Sequence, residues 1–283
     1  MPAISAELRE ELAVANRILA NEGILDAFGH VSMRHPSDPE RFLLSRHRAP
    51  ELVASDDLLE FTLDGEPVTA PTVRLYSERV IHSCIYAARP DVMSICHHHS
   101  PAVLPYCISG TELVPVFHLG ASMGARAPFW DSRDEFGDTS LLVVKVEEGR
   151  SLARALGDNW TVLMRRHGAT VAGRSIRETT FRTIYSCRNA ELQSQAQAHG
   201  YVGRLTPGEA EMAAASNLRP GPIERAWDYW VGRLRRAGNY PAPNGRATAK
   251  RSTGAARTSA TPSTRVKPRP RARRRASSGK EKR

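Results

Sequence analysis

Helical and extended patterns alternate along the first 240 residues, and that alternation predicts an α/β sandwich. Amphipathic stretches recur among short β-branched or apolar runs, and helix-start signatures separate them. Hydrophobic residues make up 41% of the 283, enough for one large domain or two small ones.

Leu8, Leu12, Ala15 and Leu19 recur at helical spacing and Gly23 offers a left-handed stop, so residues 6–22 read as an amphipathic helix. A second helix from Ser77 to about Ala88 presents Val80, Ile81, Cys84 and Ile85, and Pro90 prevents its continuation. Strands are expected at Val92–Cys96, Leu141–Val146 and Thr161–Met164, with a short helix, Ser151–Leu156, between the last two. Ser175-Ile-Arg-Glu178 is a capping box that opens a long helix to Gly200. Thr206-Pro-Gly-Glu209 repeats the signature with Pro207 at the first helical position. Ile223–Arg236, with Trp227, Trp230, Val231 and Leu234, reads as a terminal helix whose tryptophans pack on the body or a neighbouring subunit. No internal repeat and no Gly-rich phosphate loop is present.

The net charge of +10 is unevenly spread. After Pro243 come 14 basic residues and one acidic, which leaves 26 basic and 29 acidic residues in the first 243. The body is therefore slightly acidic, and a pI argument for nucleic acid concerns only the end of the chain. Residues 241–283, rich in Ala, Thr, Ser, Pro, Lys and Arg, are expected to be a disordered basic tail, because they bury too little apolar surface to offset the entropy of ordering. Arg273-Arg274-Arg275 is either a phosphate-binding run or a solvated one. Residues 1–212 are expected to form the catalytic domain and 213–240 a helical extension. Cys84, Cys96, Cys107 and Cys187 lie far apart with no C-x-x-C pair, which reads as reduced, buried thiols. No apolar run is long enough to span a bilayer and the opening residues are acidic, so a soluble cytoplasmic protein is expected.

Ile95-Cys-His97-His98-His99-Ser-Pro101 is the most informative string. On a strand, alternate residues face one side, so His97 and His99 converge while His98 turns away. A third metal donor is available in His167, which follows an apolar strand and precedes a glycine. An H-x-H taken alone is equally compatible with core or surface histidines. Glu78, nineteen positions before His97, is a dipole partner at a helix start or, beside a metal, a group that moves a proton.

Together these residues resemble the class II aldolase/adducin family. The resemblance rests on Gly29-His30-Val31-Ser32-Met33-Arg34, a Ser-Glu pair opening a helix, H-x-H-S-P and a later R-x-H-G, in order from about Leu8 to Gln197. It implies a three-layer α/β/α sandwich around a mostly antiparallel sheet. It also implies a homotetramer, a divalent metal (Zn, Mn or Fe(II)) held by His97, His99 and His167, and Glu78 as acid/base. Adducin-type scaffolds of the family lack the metal histidines, which this chain keeps. Where sugar-phosphate aldolases of the family bind phosphate with small polar residues, this chain has His30, Ser45-Arg46 and Tyr76-Ser77.

Those replacements suit a planar anionic substrate, with Arg46 or Arg48 forking onto a carboxylate and Tyr76 lining a ring. The variants look like the branch that includes metal-dependent decarboxylases of hydroxylated aromatic or pyridine dicarboxylates; iron oxygenases acting on prenylated hydroxyphenylpyruvate share the frame. Substrate contacts are expected from His30, Ser32, Arg46, Tyr76, Ser77 and His118. His118 is equally a packed histidine, Tyr185 reads mainly as core, and His47 and Arg48 fit a solvated loop as well as a site. The resulting expectation is a metal-dependent lyase, a decarboxylase first and an aldolase or oxygenase second. A scaffold or nucleic-acid-associated protein acting through its tail is the non-enzymatic alternative.

Overall fold

The computed structural model describes residues 4–241. Ser5 caps the first helix, α1 (Ala6–Asn21), by accepting from the Leu8 amide at 3.3 Å. Gly23, at φ 73°, ends it as the sequence suggests. Three strands follow, β1 (His30–Arg34), β2 (Arg41–Ser45) and β3 (Leu58–Thr62), then α2 (Arg79–Ala88) and β4 (Ser94–His98). The chain continues through α3 (Leu104–Ser109), β5 (Phe129–Trp130), α4 (Arg133–Phe136), α5 (Val146–Leu156), β6 (Thr161–Met164) and β7 (Gly168–Gly173). Three helices complete it: α6 (Ile176–Ala198), α7 (Pro207–Asn217) and α8 (Pro220–Arg236).

The seven strands form one sheet in the order β3-β2-β1-β4-β7-β6-β5, antiparallel throughout except for the β5–β6 pair. The expected mostly antiparallel sheet between helical layers is thus present. Alternation along each strand divides the apolar side chains between two cores. On one face Val31, Leu43, Cys96 and Leu163 pack with α1, α3, α6 and α8; on the other Phe42, Leu44, Ile95 and Val162 pack with α2 and α5. Trp227 and Trp230 belong to the first core, so α8 docks on the body through them. α7 spans position 212. The four cysteines are free and buried. Among the described residues no helix is long and apolar enough to cross a membrane. The expectations for the tail after Pro241 lie outside the described residues.

The structure corrects several local readings. Leu141–Val146 is not a strand. Leu141 sits at φ 67°, and the next amides bond carboxylates instead of a neighbouring strand: Val143 N–H to Glu78, and the Val144 and Lys145 N–H groups to Glu148. Glu148 thereby caps α5, which starts five residues before the expected Ser151. β4 begins two residues later than expected because Val92 closes a turn on the Arg89 carbonyl. Only half of the first capping box forms. Ser175 accepts from the Glu178 amide at 3.1 Å, but the Glu178 carboxylate turns to Arg182 at 2.7 Å. The Thr206–Glu209 box is complete in both directions.

Candidate active site

The β1–β4–β7 register aligns a row of polar side chains across the middle of the sheet: His30 is paired with His97, and His97 with Thr170. His97 shares the α2 face with Ile95, whereas His98 points into the α1/α6 layer, as strand alternation requires. His99 leaves the end of β4 on the His97 side. His167 occupies the turn between β6 and β7, and this turn is tight. Arg166 holds φ 53°, and a Cβ on Gly168 would lie 2.2 Å from the His98 carbonyl oxygen, so only glycine fits there. Gly29 is required for the same reason at φ 84°, where a Cβ would meet the His97 carbonyl oxygen at 2.8 Å.

These turns bring His97, His99, His167 and Glu78 together, with their ligating atoms all within 4.8 Å of one another. His99 Nε2 lies 3.0 Å from Nε2 of both His97 and His167, and the Glu78 carboxylate lies 3.9 Å from His97 Nε2 and 3.5 Å from His167 Nε2. Thr170 Oγ1 donates to Met164 Sδ and so accepts from the His97 Nδ1–H at 3.1 Å, which leaves the His97 Nε2 lone pair aimed into the cluster. Burial, then the neighbouring imidazoles, pushes His97 well below its ordinary pKa and His167 down to about 4; burial also lowers His99. Three neutral imidazoles converging on one point, one with its proton held elsewhere, form a donor set that fits a divalent cation. Replacing Thr170 with Val should free the His97 ring and weaken metal binding about 10- to 100-fold by titration calorimetry, with the fold intact.

Glu78 immediately precedes α2. It caps nothing with its side chain; Oε1 accepts from the Val143 N–H at 3.0 Å. Burial raises its carboxyl to about pKa 7, against the opposing pull of that one amide. An acid that shares its proton evenly near neutrality is suited to proton transfer.

Beside the cluster opens a cavity of about 170 Å³. His30, Tyr76 and Ser77 line it, as expected, together with Glu78 and His99. His47 and Arg48, which suited a solvated loop equally well, form part of the wall, and Phe28 and Leu142 contribute apolar surface. Tyr76 stacks obliquely between His30 and His47, with ring centroids 4.5 and 5.4 Å away, and its hydroxyl bonds the Arg48 carbonyl.

The remaining expected contacts lie elsewhere. Arg46 is absent from the cavity lining, its Nε pairing with Asp57 at 2.7 Å, and Arg48, which pairs with the same acid, stands at the wall. Ser32 is fully buried one layer behind His30. His118 is exposed, its carbonyl accepting from Asn217, and lies outside this cavity. Tyr185 packs against Phe181 and Trp230 on the far side of the sheet. Sequence reasoning passed over Thr170, the Val143 amide, His82 and Tyr86. The last two had a signal: with Glu78 they make a polar stripe at i, i+4 and i+8 on α2.

The family model described as Class II Aldolase and Adducin N-terminal domain matches residues 10–194. Decarboxylase tropJ of Talaromyces stipitatus is 35% identical over 245 residues, covering 79% of this chain and 92% of that protein. A 3,4-dihydroxyphthalate decarboxylase of Arthrobacter keyseri is 26% identical, covering 82% of this chain and 96% of that one. The crystal structure of an aldolase II superfamily protein from Pseudomonas syringae superimposes with a TM-score of 0.69 at 23% identity, covering 84% of this chain and 96% of that chain.

Proposed function

We propose, from the premise that this chain belongs to the class II aldolase and adducin family, that it is a metal-dependent decarboxylase acting on a hydroxylated aromatic or heteroaromatic carboxylic acid. The observation that carries the reading is the placement of a buried acid, Glu78, between three converging imidazoles and a cationic and aromatic wall, across a cavity of about 170 Å³. That volume is close to the roughly 150 Å³ known to accept a single benzene ring. Two relatives named as decarboxylases, matched over 92% and 96% of their own length, support the same reaction.

His97, His99 and His167 would hold the divalent cation, with Zn, Mn and Fe(II) all compatible with three imidazoles. The chemistry supplied there by a bound cation is electrostatic withdrawal of the negative charge that develops on the ring and its hydroxyl. Arg48 is placed to receive a carboxylate: Nε is held by Leu52 O at 2.7 Å and Asp57 at 3.2 Å, and its terminal nitrogens have no partner among the described residues. Tyr76 and His30 flank the ring, and Phe28 and Leu142 offer it apolar contact at the partly exposed rim of the cavity. When the ring-to-carboxyl bond breaks, its electron pair stays on the ring carbon and CO2 leaves. Glu78 then delivers its proton to that carbon, and solvent restores it. The assembly that accompanies this reading is a homotetramer.

The test is a screen of the purified full-length protein, loaded in turn with Zn, Mn and Fe(II), for CO2 release from hydroxybenzoates, hydroxyphthalates and pyridine dicarboxylates. Metal-dependent release abolished by EDTA is expected, with Arg48→Ala raising KM about tenfold or more through loss of a charged hydrogen bond. Cleavage of a sugar phosphate to two carbonyl compounds, or oxygen uptake without CO2 release from these acids, would overturn it.

A further inference from the structure

Behind His30 the sheet and α2 enclose four polar side chains in series. His30 Nδ1 meets His82 Nε2 at 2.7 Å, His82 Nδ1 meets Ser32 Oγ at 2.6 Å, and Ser32 Oγ meets the Tyr86 hydroxyl at 2.7 Å. All four residues are buried, and the chain ends at Tyr86, whose hydroxyl has no other partner among the described residues. At the opposite end His30 lines the cavity, and its Nε2 has no partner among the described residues.

This arrangement has a direction. The Tyr86 O–H has a single acceptor, Ser32 Oγ. Ser32 must then send its own proton to the remaining neighbour, His82 Nδ1. A neutral His82 consequently carries its proton on Nε2 and donates it to His30 Nδ1, which leaves the His30 proton on Nε2. Burial drives His82 down to about pKa 3 and raises Tyr86, so both stay neutral across the working range. The reverse order would strand the Tyr86 O–H without an acceptor inside the protein, which disfavours it by roughly 5- to 150-fold.

We propose that Tyr86, Ser32 and His82 are positioning residues that fix His30 in the Nε2–H tautomer, so that it faces the cavity as a hydrogen-bond donor to a carboxylate of the substrate. The tautomer follows from the geometry alone, whereas the carboxylate rests on the decarboxylase reading above. Without the chain, His30 would present a lone pair to an anion in part of the molecules and repel it.

Nitrogen-15 spectra of the zinc-loaded full-length protein, correlating each ring nitrogen with the carbon-bound ring protons, distinguish the two tautomers directly. Both His30 and His82 are expected to be protonated at Nε2 only. In Tyr86→Phe the directing proton is gone, Ser32 can point either way, and the His30 nitrogen shifts should move toward each other. KM for the aromatic acid should rise about threefold or more with kcat within about a factor of two. A wild-type His30 protonated at Nδ1, or shifts unmoved in Tyr86→Phe, would overturn the proposal. If Tyr86→Phe does not fold, the wild-type spectrum still decides. The Nε2 tautomer with no CO2 released from any acid tested would leave the chain standing and remove the substrate reading.

Discussion

Glu78→Gln is expected to lower kcat by about 10²- to 10⁴-fold while the protein still binds its metal. The amide is nearly isosteric with the carboxyl, and its oxygen can still accept from the Val143 N–H, now 3.0 Å from Oε1. The three imidazoles are untouched, so metal analysis should give the wild-type stoichiometry. What disappears is the carboxyl that stands in the cluster with them, and with it the proton that replaces CO2. The pH profile separates this role from a structural one. Burial raises Glu78 to about pKa 7 in the metal-free protein, so the proton-bearing form prevails below that pH and wild-type activity falls as pH rises through the titration. A bound cation favours the carboxylate and moves that limb to lower pH. In the variant the limb should vanish. Because a raised acid pKa penalises the ionised folded state, metal-free Glu78→Gln should also melt no lower than wild type above about pH 7. Wild-type turnover in the variant would end Glu78's part in the mechanism.

The clustering of His97, His99 and His167 was legible in the sequence because strand alternation is local: His97 and His99 share a face whatever surrounds them, and a histidine followed by glycine marks a turn. The strands that carry the site were harder to read. β1, His-Val-Ser-Met-Arg, is buried on both faces yet mixes polar and apolar residues, since its polar side chains serve the hydrogen-bonded series from His30 to Tyr86 and the Arg34 contacts with the Tyr86 and Arg89 carbonyls. β7, Gly-Ala-Thr-Val-Ala-Gly, is built of small residues because other chain segments pass close to it, so it lacks the β-branched density of an ordinary strand. Missing β7 hid Thr170, the partner that orients His97. The family pattern offers Arg46 or Arg48 for a carboxylate; Asp57 pairs with both, and only the path of the loop after β2, which no local pattern encodes, puts Arg48 at the wall. Leu141–Val146 misled because an apolar run at extended spacing looks like a strand when its amides instead serve two carboxylates.

Metal-free protein is expected to lose stability steeply as pH falls below 6.5. His30, His82, His97, His98, His99 and His167 are all buried or largely so, and burial is the first cause of each lowered pKa: to about 3 for His82 and His98, to about 4 for His167, and in the same direction for the rest. In the unfolded chain each titrates near 6.5. Between those limits the unfolded state binds more protons, so the stability present above 6.5 is lost as pH drops, by about 1.4 kcal/mol per pH unit for each histidine. Glu78 works the other way, its raised pKa favouring the fold at low pH, but it offsets only one histidine. Three histidines at full effect would consume a typical 5 to 15 kcal/mol within about one to four pH units. Saturating zinc adds stability where the imidazoles are neutral and loses it as protons compete for the same nitrogens, so the stabilising effect of metal should shrink toward pH 5. His98 separates the fold from the site. It faces the α1/α6 layer, its Nε2 is buried without a partner, and its Nδ1 accepts only from the Ser100 amide at 3.4 Å. His98→Asn keeps an acceptor for that amide and removes one titrating ring. Melting curves from pH 4 to 7 should then flatten by about 1.4 kcal/mol per pH unit while metal stoichiometry and turnover persist. An unchanged slope would place the acid sensitivity in the other five buried histidines, and loss of metal would mean that His98 supports His97 and His99 on either side of it.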